Sequence, residues 1–595
     1  MSLIVQKFGG TSVADTKKIL AAARKAIRET KEGNQVVMVV SAMGKNTDHL
    51  IDLAKEISDR PNSREMDMLL STGEQVTVAL MAIALQSLGH EAVSFTGAQI
   101  GIKTDNTYSK ARIRSISTER MRKALDEGKI VIAAGFQGID DDFNITTLGR
   151  GGSDTTAVAL AAVLKADSCD IFTDVDGVYT TDPRIVPEAR KVDKISYDEM
   201  LELASLGAGV MHSRSIEFAK KFNVPVHVRS SFSDTPGTII GAEPENNEAP
   251  VCGAALAKEE ARITVIGVPD KPGVAMNLFS RIAEAKIPTD MIVQNVSDQG
   301  ITDISFVIPS DDLAATLKIV ESTVQEIGAE GFESDNNVAK VSVVGLGMEK
   351  QPGVAQKMFH ALAEKKINIH MISTSEIKIS ALVDRDKGIE ALRAIHEAFQ
   401  LQQAFVSTTV DSAITQTESA SAVRSALSNE FVSRLTGMEE ILIEKVSIDQ
   451  SQARITLTDL PDRPGLAAEV FDQIAGGRVI VDMIVQSVGR QGLASISFTI
   501  QRNELDSVLD ITEKLNRAYQ CKTFSNPTVT KLTVHGTGLR SHTGLAYRMF
   551  KTLSDGGINV SIICTSERCI NVVIDDSVGK TGFSLLSNEF VDEMI

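Results

Sequence analysis

The stretch Gly149-Arg150-Gly151-Gly152-Ser153-Asp154 puts three glycines, a guanidinium and a carboxylate side by side. Glycine lets a backbone approach an anion closely and take positive φ. The small, apolar run at 155–162 behind it suits a helix packed closely on a sheet. The start of such a helix offers unpaired N–H groups and the positive end of a dipole, which is an anion site. Arg150 adds a planar fork suited to a carboxylate or phosphate. Asp154 is an acid where an anion is expected, which makes sense if a magnesium ion, an ammonium group or a basic side chain lies between them. A capped helix after a tight turn accounts for the glycines alone. Arg150 and Asp154 turn the reading towards a site.

Three other places carry related chemistry. Lys7 and Phe8 end an apolar segment that runs into Gly9-Gly10-Thr11-Ser12. A lysine beside phosphate-binding glycines supplies a mobile point charge for β- and γ-phosphates. This is no Walker A loop, which requires G-x-x-x-x-G-K-[ST]. Ser41 follows the apolar run 36–40, and Glu74 falls in the first turn of the helix expected from 71 to 87, where the dipole favours an acid. The polar stretch from Thr173 to Arg184 holds Asp174, Asp176, Asp182 and Tyr179, and could hold a nucleotide or be a solvated loop.

These residues need a scaffold. Apolar runs at 3–8, 36–40, 92–96, 129–136, 169–173 and 224–229 read as strands, the last closing the sheet, and helical patterns alternate with them. The implied fold class is α/β, with a mainly parallel sheet covered on both faces and sites at strand ends.

Beyond a polar, proline-containing stretch at 243–250 the chain repeats itself. Asp270-Lys271-Pro272-Gly273-Val274-Ala275 recurs 192 residues on as Asp462-Arg463-Pro464-Gly465-Leu466-Ala467, and Asp290 and Gln294 recur as Asp482 and Gln486. Interleaved with these, Val354-Ala355 matches Leu545-Ala546, Asn368-Ile369 matches Asn559-Val560, and Ser375 matches Ser566, all 191 residues on. A unit of two modules is thus duplicated. Each module reads strand, glycine turn, helix, strand, strand, helix, the ferredoxin-like pattern. The expected segments are a first domain at 1–242, modules at 251–335 and 336–410, a Ser/Thr/Ala-rich linker at 411–440, and modules at 441–526 and 527–595. The hexapeptide at 427–432 recurs at 586–591, only 159 residues on. That predicts a second copy shorter by about 32 residues, lacking the helix near 389–399 and the strand after it. Gly345-Leu346-Gly347 and Gly536-Thr537-Gly538 lack the third glycine of a dinucleotide loop, which excludes a fused dehydrogenase of that type.

A net charge of −17 argues against nucleic-acid or anionic-membrane partners. No apolar run nears the ~20 residues of a membrane span. Five scattered cysteines without zinc spacing predict reduced thiols and a cytoplasmic protein. No resident metal site is expected.

Taken together and in this order, the motifs Lys7–Val13, Gly149–Asp154 and Thr173–Arg184 resemble those of the aspartate kinases, members of the amino-acid-kinase family with its αβα sandwich. The repeated strand, Pro-Gly turn and helix resemble the ACT module, which binds small amino acids. The resemblance implies transfer of the γ-phosphoryl of ATP, carried with Mg2+, to the side-chain carboxylate of L-aspartate. The product is 4-phospho-L-aspartate, at the start of lysine, threonine and methionine biosynthesis. It implies catalytic roles for Lys7 and Asp154, with Lys7, Phe8, Gly9, Gly10, Thr173, Asp174, Tyr179 and Arg184 holding ATP. Ser41, Thr47, Glu74, Arg150, Gly151, Gly152 and Ser153 would bind aspartate. Some family members carry a lysine where Gly209 stands, so no ATP contact is carried to that position. The ACT resemblance implies feedback by L-lysine and/or L-threonine. One joint site would combine Asp270 to Ala275, Asp290 and Gln294 with Val354, Ala355, Asn368, Ile369 and Ser375. A second would combine Asp462, Gly465, Leu466, Ala467, Asp482 and Gln486 with Leu545, Asn559, Val560 and Ser566. Exposed ACT faces would pair between chains, giving a homodimer or a larger homo-oligomer. The rival reading is an amino-acid-binding regulator with an inactive kinase part. Intact Lys7, Glu74, Arg150 and Asp154 argue against it. Within the enzyme class, a kinase acting on glutamate is the alternative.

Overall fold

The computed structural model describes residues 1–207, 209–246, 249–296, 300–351, 353–404, 438–439, 442–488, 492–539 and 543–594. The N-terminal part is built on one eight-stranded sheet. Its strands lie in the order Lys194–Ser196, Thr238–Gly241, Val226–Ser230, Ser168–Thr173, Leu3–Phe8, Gln35–Val40, Ile130–Ala134, Ala92–Phe95. All neighbours are parallel except Thr238–Gly241 against Val226–Ser230. Val226–Ser230 therefore does not close the sheet, because two further strands lie outside it.

Successive side chains of a strand face opposite ways, and the core follows that period. Val37 and Val39 pack with the helix Gly152–Leu164 on one side. Val36, Met38 and Val40 pack with the helices Thr16–Lys31 and Thr72–Ser87 on the other. Every residue of Gly152–Leu164 is buried, which is why that run is made of small and apolar residues. The adjoining helices Ser63–Leu70 and Thr72–Ser87 form a stretch long and apolar enough, by length and composition, to cross a membrane, although no such run was expected. Here Val78, Met81 and Leu85 are buried against the sheet. A second, four-stranded sheet of Ile113–Ile116, Ile102–Thr104, Gln137–Ile139 and Ile145–Thr147 leads directly into the loop at Gly149.

The C-terminal part is one twelve-stranded sheet built from the four modules. The expected boundaries at 335/336 and 526/527 fall inside the single strands Gly331–Val344 and Lys522–Thr537. The partner strands Gly253–Pro269 and Leu442–Pro461 are equally long. Gly253 to Ala257 pairs with Lys340 to Val344, whereas Arg262 to Ile266 pairs with Gly331 to Asp335. Each long strand thus serves two modules, and the first module of each copy is set into the second. The second copy also keeps its last helix. Gly579–Glu589 stands 191 residues after Gly388–Ala398, each following a 3-10 turn. The hexapeptide at 586–591 belongs to the end of that helix, so its match at 427–432 is not the register of the repeat. Residues 405–437, with that hexapeptide, the strand expected after residue 399 and most of the linker, lie outside the described residues.

The modules pair across the copies. Helix Val274–Glu284 of the first packs on Thr543–Asp555 of the fourth, with the Phe279 and Phe550 rings 6.3 Å apart. Val354–Glu364 of the second packs on Leu466–Gly476 of the third, with Phe359 and Phe471 at 5.5 Å. Strand Met371–Ser375 hydrogen-bonds to Val481–Val488, joining the halves into one sheet. Met291, Val293, Met371, Met483, Val485, Ile562 and Cys564 share a core at the centre.

Candidate active site and effector clefts

The register of the parallel strands gathers the glycine turns. Phe8 lies level with Phe172 on one side and with Val40 on the other, and Val40 lies level with Ala134. Gly9-Gly10, Thr173-Asp174, Ser41 and Gly135 therefore leave the sheet at one end, where open α/β sheets bind ligands. The Phe8 and Phe172 rings stack at 4.7 Å beneath the turn. The Gly9 N–H donates to the Phe172 carbonyl at 3.3 Å, and the Ser41 N–H to that of Phe8 at 3.1 Å. A Cβ on Gly10 would lie 2.9 Å from the Ala42 carbonyl oxygen, so this turn closes only on glycine.

Lys7 Nζ and Asp154 Oδ1 form an ion pair of 2.5 Å, both side chains nearly buried. The partner of Asp154 is thus a basic side chain, one of the three the sequence allowed. Asp154 is in the first turn of Gly152–Leu164, whose N-cap Gly151 is left-handed with φ 70°. The Thr155 N–H already closes on the Gly151 carbonyl, so the amides of Ser153 and Asp154 have no acceptor within the helix. Gly149 also takes positive φ, 78°. Arg150 is exposed at the tip of this turn and makes no ion pair among the described residues.

Glu74 is the group the scaffold treats most unusually. It is 3 % exposed. Its Oε1 accepts the Ala42 N–H at 3.0 Å. Its Oε2 is buried with no hydrogen-bond partner among the described residues. Burial pushes the carboxyl up to about 7, against the opposing pull of the Ala42 N–H. A buried carboxylate oxygen without a donor is costly unless a ligand supplies one. Thr47 stands half-buried in the helix Asn46–Ile57.

In the polar loop expected to hold the nucleotide, the Thr173 hydroxyl donates to Asp174 at 3.2 Å. The Tyr179 hydroxyl donates to Asp176 at 2.7 Å, and this bond, with burial, pushes the phenol up to about 12. Arg184 is exposed and folds back in a two-pronged contact onto Asp182, 2.7 and 2.9 Å, instead of reaching into the cradle.

Three residues that no local motif marks hold the loop at Gly149. Fully buried Asp67 accepts from the Ser109 N–H and hydroxyl and from the Thr147 N–H and hydroxyl, at 2.7 to 3.3 Å. His212 packs so close that a Cβ on Gly151 would lie 2.3 Å from its own Cβ. Arg214 donates to the Leu148 carbonyl at 2.6 Å. Their partners lie tens to hundreds of residues away in sequence, so no local spacing marks them.

The residues expected to bind effectors meet crosswise, the first module with the fourth and the second with the third, not within one copy as expected. The turn Lys271 to Ala275, with Gln294, faces Asn559 and Val560 of the fourth module, and Asn559 Nδ2 donates to Asp270 Oδ1 at 2.7 Å. Gly465, Leu466, Ala467 and Gln486 face Asn368 and Ile369 of the second module. Asn368 Nδ2 donates to Asp462 at 2.9 Å, and Gln486 Nε2 to the Ile369 carbonyl at 2.8 Å. Val354, Ala355 and Ser375 line a third space, of about 340 Å³, with Asp482, Asp449, Glu376 and Lys531. Lys531 is ion-paired with Asp482. In the other copy Lys340 is fully buried between Asp290 and Glu260, at 2.5 and 2.8 Å, so Asp290 is turned to a buried lysine. Leu545 is buried, and the Ser566 hydroxyl accepts the Cys569 N–H at 3.0 Å.

Residues 2–230 match the profile of the amino acid kinase family, and residues 263–324, 341–399 and 532–590 that of the ACT domain. An aspartokinase from a Bacillus species is 54 % identical over 402 residues, 67 % of this chain and 98 % of that protein. Aspartate kinase from Synechocystis is 39 % identical over 99 % of this chain and 98 % of its own, with a TM-score of 0.51. Aspartokinase III from E. coli, solved with aspartate and ADP and again with lysine and aspartate, is 26 % and 25 % identical. It spans 67 % of this chain and 99 % of its own, with TM-scores of 0.58 and 0.52. With the parallel sheet, the turns gathered at its carboxyl end and the ACT sheet, these relations place the chain in the amino-acid-kinase family, among the aspartate kinases that carry ACT domains.

Proposed function

We propose that the chain transfers the γ-phosphoryl group of ATP to the β-carboxylate of L-aspartate at the Lys7–Asp154 pair, under feedback by lysine and/or threonine at the crossed ACT interfaces. The single observation that carries the substrate assignment is the unpartnered, buried Oε2 of Glu74. An α-ammonium group supplies the missing donor. Arg150, exposed and without an ion pair among the described residues, offers its fork to the α-carboxylate. The side-chain carboxylate then lies at the helix start, facing the phosphate cradle.

The nucleophile is already ionised at neutral pH, so the reaction needs no general base. What remains is positioning and charge neutralisation. Lys7 brings a point charge to the transferring phosphoryl group, and Asp154 holds Lys7 in place. The backbone at Gly9-Gly10 admits the phosphates closely. Thr173, Asp174 and Tyr179 hold the rest of the nucleotide. Mg2+ enters as part of the ATP complex and neutralises phosphate charge there.

The 340 Å³ space is bordered by Lys531, ion-paired with Asp482, and by Asp449 and Glu376, two further acids that suit an amino acid with a cationic side chain. Lysine in a solved E. coli relative supports that reading. An effector inhibits only by binding the inactive state more tightly than the active one.

A coupled ADP-release assay with L-aspartate and with L-glutamate tests the assignment. Turnover on aspartate should exceed that on glutamate, and Lys7→Met and Asp154→Asn should each cut kcat at least ~100-fold. Preference for glutamate, or near-normal turnover in both variants, contradicts the proposal.

A further inference from the structure

Arg214 is the second residue of the helix Ser213–Phe222, and its side chain runs under the aspartate loop. One terminal nitrogen donates to the Leu148 carbonyl at 2.6 Å, immediately before Gly149. The other donates to the Ala111 carbonyl at 2.5 Å. The rest of the fork is taken by Glu439, in two bonds of 2.7 and 2.6 Å. Both side chains are nearly buried. Glu439 also accepts the Ile113 N–H at 2.8 Å, and its neighbour Met438 is tied to Arg114 and Lys221. Glu439 and Met438 belong to the segment between the two ACT copies. A contact from the regulatory half thus reaches the carbonyl from which the substrate loop springs.

The nucleotide loop is held by a different set of contacts. His396 shares a 3.0 Å hydrogen bond with the Thr180 hydroxyl, and Arg393 donates to the Ile185 carbonyl at 3.1 and 3.2 Å. Both residues lie on the last helix of the second module.

We infer that Arg214 is a positioning residue for the aspartate loop and that Glu439 holds it there, so that the regulatory half acts on aspartate binding separately from nucleotide binding. The inference rests on the reading that the loop at 149–154 takes the amino-acid substrate. A planar fork reaches two carbonyls and one carboxylate at once, which a lysine ammonium on a flexible stem does not reproduce. Without Glu439 the guanidinium is a buried cation with no counter-charge and moves to find water. The Leu148 carbonyl then loses its donor, and Arg150 and the Ser153 and Asp154 amides lose their placement.

The test is steady-state kinetics on the full chain with Arg214→Ala, Arg214→Lys, Glu439→Ala and the double alanine variant, each checked by thermal melting. Arg214→Ala and Glu439→Ala should raise KM for aspartate about tenfold or more, with KM for ATP within about twofold. The double variant should be no worse than Arg214→Ala alone, because Glu439 acts through Arg214. Arg214→Lys should melt near the parent yet fail to restore KM for aspartate. Arg393→Ala, the control on the nucleotide side, should raise KM for ATP and leave that for aspartate. Equal shifts in both KM values, additive effects in the double variant, or rescue by lysine would overturn the inference. If the parent prefers another amino acid as acceptor, the substrate reading fails instead, and the same comparison applies to the KM of that acceptor.

Discussion

Glu74 is where burial and substrate chemistry oppose each other most directly. Its carboxyl is raised from the ordinary 4.5 to about 7 by burial. The folded chain therefore holds this proton more tightly than the unfolded one. The stability this confers is present below pH 4.5 and is lost as pH rises through 7. In the proposed role substrate binding has the opposite sign, because an ammonium group is accepted only by the ionised carboxylate. KM for aspartate should rise up to about tenfold per unit as pH falls below 7, while kcat at saturating aspartate changes little. Glu74→Gln should raise KM and flatten this profile. A KM for aspartate that is level from pH 5.5 to 8 in the parent contradicts the ammonium assignment. At this scale the sequence was informative where a candidate site residue sits among its own glycines. Lys7, Arg150 and Asp154 are of that kind. Asp67 and Arg214 are not, because each acts on backbone groups brought in by the fold.

The element that matters most is the turn and helix from Gly149 to Leu164. Gly151 has two reasons to be glycine, a φ of 70° and the wall of His212 behind it. Gly33 has φ 88° and open space around it, so it isolates backbone strain from collision. Gly33→Ala should cost about 1–2 kcal/mol of stability and leave kinetics unchanged. Gly151→Ala should cost more and also raise KM for aspartate at least about tenfold, because the loop must move off His212. Thermal melts with aspartate kinetics separate the two, and an unchanged KM in Gly151→Ala contradicts the close seating of the loop. The main strands were legible because they are continuous apolar runs buried on both faces. The side sheet at 102–147 was not, because its strands are three or four residues long and carry no period. The doubled strands Gly253–Pro269 and Leu442–Pro461 were also missed. Polar residues near their midpoints, such as Lys258 and Glu259, look like a boundary, yet they mark the register shift where one module hands over to the next.

At the scale of the whole chain, duplication explains both the ACT architecture and why its pairing was unreadable from sequence. The copies are alike, so Asn368 and Asn559 are chemically equivalent partners for Asp270 and Asp462. Sequence neighbourhood favoured pairing within a copy, whereas the structure pairs across copies. Met291, Met371, Met483 and Ile562, one from each module, pack together inside the one chain. The crossed pairing is the central claim, and coupling of effector response tests it most directly. Inhibition curves for lysine and threonine should be measured on Asp270→Ala, Asn559→Ala, Asn368→Ala and the two doubles that combine Asp270→Ala with each asparagine change. Asp270→Ala and Asn559→Ala should damage the same inhibition and their double should be far from additive, whereas Asp270→Ala and Asn368→Ala should add independently. Strong coupling of Asp270 to Asn368, with none to Asn559, would contradict the crossed pairing.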